Sequence, residues 1–337
     1  MDTFKKILAT IFAMLFIISA IVALISFNFD RNAFTVETYQ KAFANADFYN
    51  QIPTIMAEAM VSTTTNQEQL PIVMRGMNTQ AWDAFFRTLL PQDVLKSMGD
   101  EALNSVFAYL NMQTNSAHLS LTSLKTSMVS DMGVQAVFTL LKTQPNCTLR
   151  QIGQMTINLL SNSQIQFCNP PEEMVPFLTP VIQGQIRVAA LAIPDQFTII
   201  GAPPENDPRP TLHTVRMVMR LTPILPLGFL LLMTILAVSS FKSWLNWWGI
   251  PFVITGGFAS LMSLSGAPLI GAILHHILVN RMPAFLPTIM LADASTLAIA
   301  MVQALLSPIL IQGLILGLIG FVMVVAAYFT KEKIMTE

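Results

Sequence analysis

Charge is scarce in this sequence. Only 11% of its 337 residues are Asp, Glu, Lys or Arg, where a soluble domain carries about a quarter. A surface so poor in charge cannot all face water, which excludes an ordinary soluble protein. The deficit falls in four charge-free stretches. Ile7 to Phe27 and Leu221 to Phe241 are 21 residues each, Gly249 to Leu278 is 30 with both histidines neutral, and Ala294 to Thr330 is 37. A helix rises about 1.5 Å per residue, so a hydrocarbon core of about 30 Å takes roughly 20 apolar residues. Each stretch is long enough to span.

Motifs that carry chemistry are also missing. There is no G-x-S-x-G elbow to expose a nucleophilic serine, no H-E-x-x-H helix to hold zinc, and no glycine-rich loop with the Lys-Ser/Thr of a phosphate cradle. Ser263-Leu264-Ser265-Gly266 is a small polar patch inside a span and reads as helix packing. Asp100-Glu101 and Glu172-Glu173 are the adjacent acid pairs, and both suit the first turn of a helix. No cofactor is expected. Three of the charge-free cores hold no ionisable group of the kind ion transport demands, which argues against a self-contained pump.

Between the first and second apolar stretches the character changes. Asp30 to Arg216 holds 15 acidic and 11 basic residues and is rich in Gln, Asn, Ser and Thr. That is enough chain for its own core, and it is not basic, so nucleic acid is not an expected partner. The sequence therefore predicts an all-α membrane protein with four transmembrane helices and a mainly helical domain inserted between spans one and two. Residues 1–29 form an N-terminal anchor, uncleaved because its apolar run exceeds that of a signal peptide. Residues 30–200 form the domain, 201–210 (GAPPENDPRP) a stiff linker, and 211–337 a three-span bundle.

Apolar spacing marks the helices of the domain. Trp82, Phe85, Phe86, Leu89 and Leu90 fall on one helical face. Leu149, Ile152, Met155, Leu159 and Leu160 suggest another helix. Two short helices around Tyr39 to Met56 are expected to break near Pro53. A later helix should start with Asn169 as its cap and Pro170 at its first position. His118 to Leu124 and Phe197 to Ile200 are expected strands. Trp244, Trp247 and Trp248 mark a short interfacial turn between spans two and three. Residues 281–303, with Asp293, suggest an interfacial or re-entrant piece.

Lysines near the span ends set the orientation. Lys5, Lys6, Lys242, Lys331 and Lys333 fall on one side, against Arg31, Arg216, Arg220 and Arg281 on the other, which favours cytoplasmic termini. The two cysteines, Cys147 and Cys168, lie 21 positions apart in the domain. A lone pair there suits a disulfide in an oxidising compartment, and so an extracytoplasmic domain on a cell-membrane protein.

Several segments resemble the exported domain of a set of uncharacterised bacterial membrane proteins common in the Chloroflexota. They are residues 39–44 (YQKAFA), 48–53 (FYNQIP), 107–111 (FAYLN), 145–148 (PNCT), 167–173 (FCNPPEE) and 193–196 (IPDQ). The resemblance covers about residues 1–220. It implies an N-terminal anchor followed by an exported helical domain, and it brings no activity.

Two further features are candidates for function. Gly313, Gly317 and Gly320 let another helix approach closely, within the bundle or in a homo-oligomer. His275 and His276 are adjacent, so they point about 100° apart on a helix, and Asp293 is placed to approach them as a polar site without a metal. The expected function is a non-catalytic binding, scaffold or assembly protein of the cell envelope. Its partners would be the bilayer and a protein or envelope component recognised by the helical domain. The alternatives are a transporter, channel or accessory subunit, and an interfacial enzyme using His275, His276 and Asp293.

Overall fold

The computed structural model describes residues 3–63, 78–148, 150–154, 157, 168–203, 205, 207–281 and 288–330. The chain is mostly helical. It forms two compact units, Met1–Ala42 with Asn206–Leu274 and Ala298–Glu337 in one, Phe43–Glu205 with His275–Leu297 in the other.

Among the described residues, five helices are long and apolar enough to cross a membrane. They are Phe4–Ala33, Glu172–Ala192, Arg209–Ala237, Phe241–Ile273 and Ser295–Phe329. Four coincide with the expected spans. The fifth, Glu172–Ala192, was expected as a helix of the domain. Its mean hydropathy is 1.2, against 1.5 to 2.8 for the others.

The first unit is built on α1 (Thr3–Ala33), α9 (Arg209–Leu221), α10 (Ile224–Ala237), α11 (Phe241–Arg281) as far as Leu274 and α12 (Thr288–Phe329) from Ala298. Alanines on one stripe of α1 let α10 lie against it, and Ala13, Phe16, Ala20, Leu230 and Met233 are buried together. Phe16 stacks on Phe252 at 5.6 Å. Trp248 begins as an aromatic ladder with Trp244 and Phe252, and its indole N–H donates to Thr234 Oγ1 at 2.9 Å. That bond fastens the short 238–240 turn between α10 and α11.

The helices α11 and α12 run 41 and 42 residues, roughly 60 Å each and about twice the hydrocarbon thickness. Pro251, Pro268 and Pro308 lie inside them without ending them. Residues 288–303 are helical and continuous with the rest of α12; residues 282–287 of the expected piece lie outside the described residues. Glycines set the seam between the two helices. A Cβ on Gly256 would meet Gly313 O at 2.5 Å and Gly317 Cα at 2.6 Å, and one on Gly320 would meet Val253 N at 2.6 Å. Ser263 Oγ donates to Leu306 O at 2.8 Å across the same seam.

The second unit packs α2 (Val36–Asn45, whose last residues enter it), α3 (Phe48–Thr63), α4 (Thr79–Leu89), α5 (Gln92–Leu110), α6 (Thr122–Val129), α7 (Asp131–Leu141) and α8 (Val175–Ala192). The break after α2 falls at Asp47, whose φ of 51° is left-handed, a conformation Asp tolerates better than most residues. Pro53 lies inside α3 instead, as its sixth residue, where the helix continues without the backbone bond from position 53 to residue 49. Asn78 caps α4 by accepting from Ala81 N at 2.9 Å. The predicted face of α4 is used as spaced, with Trp82 and Phe86 buried against Ala57 of α3 and Leu140 of α7. Residues 150–154 are helical and Ile152 is buried; Leu149, Met155, Leu159 and Leu160 lie outside the described residues.

Polar ties supplement the apolar core. Thr54 Oγ1 on α3 donates to Asp83 Oδ1 on α4 at 2.7 Å, and Arg87 donates to Asp83 Oδ2 at 2.7 Å and to Thr54 Oγ1 at 2.9 Å. Burial alone would raise the Asp83 carboxyl, but the Arg87 and Thr54 hydrogen bonds and the Arg87 charge outweigh it and hold the group below its ordinary value. The strand expected at Phe197 to Ile200 is β2 (Gln196–Ile200), whereas the one expected at His118 to Leu124 is β1 (Ala117–Ser120) and stops at Ser120, because residues 122–124 begin α6; the two pair antiparallel with Leu119 opposite Phe197.

Asn169 does not cap α8. Glu172–Met174 form a 3₁₀ turn first, and α8 begins at Val175. Asn169 is taken up in a backbone bridge to Asn146, and Pro170 and Pro171, lacking N–H groups, carry the chain from there into the turn. After β2 the proline-rich stretch ends where Asp207 accepts from Arg209 N at 3.0 Å and from its guanidinium. Those bonds hold the Asp207 carboxyl below its ordinary value.

Candidate functional site

Three places gather polar side chains. The first is a cleft of about 790 Å³ in the second unit, beside the disulfide. Cys147 and Cys168 are bonded to each other. Cys168 is buried with Val134, Leu141, Leu178 and Ile182, so the bridge joins the loop after α7 to the approach of α8 through apolar core. Backbone bonds run beside it, from Cys147 N to Asn169 O and from Asn169 N to Pro145 O, both 2.9 Å. Asn169 Nδ2 donates to Asn146 Oδ1 at 3.0 Å. The cleft opens on this fastened corner. Phe138 and Lys142 contribute from the end of α7, Asn146 and Cys147 from the loop, and Asn169, Pro170, Pro171, Glu172 and Val175 from the entry to α8. It offers one cation, one carboxylate, two amides and apolar walls. Such a set can hold a ligand by hydrogen bonds and apolar contact; none of these side chains is an activated nucleophile.

The second place is a polar layer in the first unit, unforeseen from the sequence. Asp30 on α1 is 4% exposed and accepts from Arg216 Nε at 2.9 Å and Arg220 Nε at 2.7 Å. Arg216 also stacks over the Phe34 ring, 4.4 Å from its centre. Two residues below Asp30, Asn28 exchanges amide hydrogen bonds with Gln312 of α12, Asn28 Nδ2 to Gln312 Oε1 at 2.7 Å and Gln312 Nε2 to Asn28 Oδ1 at 3.1 Å. Asn28 Nδ2 also donates to Leu24 O at 2.7 Å. The available signal was an acid placed three residues past a charge-free run, which a tally of lysines and arginines passes over.

The third is His118. Ser116 Oγ lies 2.7 Å from its Nε2 and Thr198 Oγ1 lies 3.3 Å from its Nδ1. A serine beside an imidazole invites a catalytic reading. The partner at Nδ1 is a hydroxyl, without the charge by which a carboxylate stabilises an imidazolium. Ser105 Oγ accepts from His118 N at 2.8 Å, so these bonds pin the β1–β2 ribbon to α5.

His275 and His276 lie in the last turns of α11 and Asp293 in the second turn of α12. The side chains of His275 and Asp293 lie outside the described residues, and His276 is exposed. Among the described residues no group of three or more His, Cys, Asp or Glu is placed to hold a metal ion. A Cβ on Gly313 would meet Ser260 and Gly256 of α11 at 2.9 to 3.1 Å, while one on Gly317 would have its nearest neighbour there at 3.8 Å. No family model, curated protein or solved structure matches the chain.

Proposed function

We propose that this chain is a four-span protein of the cell envelope whose helical domain lies outside the cell and works by binding rather than catalysis. It would recognise a protein or envelope component through the cleft beside Cys147–Cys168. The observation that carries this reading is the fastened cleft itself: a concave site of about 790 Å³ with paired amides, Lys142 and Glu172 on its wall. A disulfide and two adjacent backbone bonds hold that corner, and a site organised before binding loses less entropy when it binds.

Three observations support the topology. Disulfides persist in oxidising compartments, which favours an exported domain. Along α1, Asn28 and Asp30 stand 22 and 24 residues beyond Lys6, roughly 33 and 36 Å. The buried polar layer then falls at the far edge of a hydrocarbon core of about 30 Å, with Lys5 and Lys6 at the near edge. Finally, α8 turns Leu178 and Ile182 into the disulfide core and carries Arg187 in its middle, although Phe177, Val188 and Leu191 are exposed. That suits a core helix of the domain better than a fifth span.

The test is photocrosslinking in native membranes with the full chain. A photoreactive residue at Lys142 should give one discrete adduct that the same residue at Glu101, exposed on α5, does not. Equal labelling from both positions, or none from either in correctly inserted protein, would overturn the cleft as the binding site.

A further inference from the structure

We infer that the first unit holds one anionic phospholipid, with its phosphate on Arg220 and an acyl chain in the groove below. The groove has a volume of about 560 Å³ and is almost wholly apolar apart from Arg220. On α1 its wall is the stripe Phe16, Ala20, Ala23, Leu24 and Phe27, about 16 Å of helix. Pro223, Leu227 and Leu230 face it from α10, and Phe252 and Leu316 close it from α11 and α12. Residues of five helices thus line a slot of the size of small-molecule sites, with its one charge, Arg220, in the last turn of α9.

The electrostatics select the occupant. One carboxylate, Asp30, is shared between two guanidiniums, each bonded to it through Nε, so it does not fully neutralise Arg220. Arg216 is committed, its side chain 13% exposed and stacked on Phe34. Arg220 is different. Its side chain is 60% exposed although its partner Asp30 is buried, and it bonds Asp30 through Nε. Its two Nη groups are left for an acceptor, and two N–H groups of a guanidinium match two phosphate oxygens. An apolar slot ending on an incompletely neutralised guanidinium fits a molecule with a long hydrocarbon chain and an anionic head, which in a membrane is an acidic phospholipid. Asp30 has a second role in this arrangement: it fixes the direction of the Arg220 fork without neutralising both arginines.

Native mass spectrometry of the full chain tests this, after exchange into nanodiscs of equal phosphatidylglycerol and phosphatidylcholine and release into mild detergent. The wild type should retain a single phosphatidylglycerol in about tenfold preference: both lipids offer a phosphodiester to Arg220, but the trimethylammonium of phosphatidylcholine brings a cation toward the two guanidiniums, and about 1.4 kcal/mol of such repulsion is tenfold. Arg220→Gln should lose the preference, and Arg220→Lys should keep part of it. Arg220→Gln also removes a brace on Asp30. Leu227→Trp leaves that brace in place and fills the groove, and it should lose retention of either lipid while the protein still elutes as a folded species. Inorganic phosphate at millimolar concentration should not displace the lipid. Equal retention of both lipids by the wild type, wild-type preference in Arg220→Gln, retention in Leu227→Trp, or displacement by phosphate alone would each overturn the inference.

Discussion

Two glycines of the α11–α12 seam should respond with opposite sign to the same added methyl group. A Cβ on Gly256 would sit 2.5 Å from Gly313 O and 2.6 Å from Gly317 Cα. Both obstacles are backbone, so no side chain can turn away and the helices themselves must separate. Overpacking of this kind costs typically about 1–3 kcal/mol, and backbone against backbone belongs at the upper end. A Cβ on Gly317 would have its nearest neighbour at 3.8 Å, an ordinary contact. There alanine adds about 0.5–1 kcal/mol of helix preference over glycine. Gly256→Ala should therefore lose stability while Gly317→Ala holds or gains it; the helix preference is common to both, so the separation is the overpacking cost alone, roughly 2–3 kcal/mol at the upper end of its range. Unfolding by steric trapping in bicelles would measure it, with Gly320→Ala expected to follow Gly256→Ala. If Gly317→Ala proved as damaging as Gly256→Ala, close approach would not be what these glycines provide.

The buried amide pair makes a double-mutant prediction: Asn28→Leu or Gln312→Leu alone should cost about 1–2 kcal/mol by orphaning its partner, and the double variant less than the sum; strict additivity in the same steric-trapping assay would refute the pairing. Maleimide should label neither cysteine until a reductant is added, and Cys147→Ser with Cys168→Ser should lower the unfolding free energy by about 3 kcal/mol, as loop closure predicts; labelling of the unreduced protein would refute the bond. The Asp83 carboxyl, held low when folded, contributes stability that is present above the unfolded value of about 3.9 and lost as pH falls through the folded one. Because Arg87 is 46% exposed, the contribution is below about 1 kcal/mol, and thermal melts of Asp83→Asn should show a shallower loss below pH 4 than the wild type.

Periodic features were legible and particular contacts were not. The Trp82–Leu90 face was read correctly because its spacing is set by one helix alone. The disulfide was legible because two cysteines allow one pairing. The strands at 117–120 and 196–200 were each visible as alternating segments, but their partnership is a matter of tertiary folding. Errors came where a residue has two uses. Asn169 is a good cap by type, yet a bridge to Asn146 claimed it. Pro53 looked like a breaker, yet α3 continues through it and Asp47 supplied the break. Charge-free runs located helices that can span, but hid Asn28 and Gln312, which are uncharged and meet across 284 positions. The glycine pattern at 313 and 317 pointed to a close contact without showing that Gly256 and Gly320 have less room than Gly317.

That distance of 284 positions has a consequence in time. Gln312 is made 284 residues after Asn28, roughly 15–60 s later at ordinary elongation rates. Throughout that interval the Asn28 amide has the Leu24 carbonyl one turn below it and lacks its reciprocal partner. A residue of α12 thus completes a bond of α1. A nascent chain halted before Gln312 keeps an amide in α1 short of its partner, so a truncated product differs chemically at its beginning from a finished one.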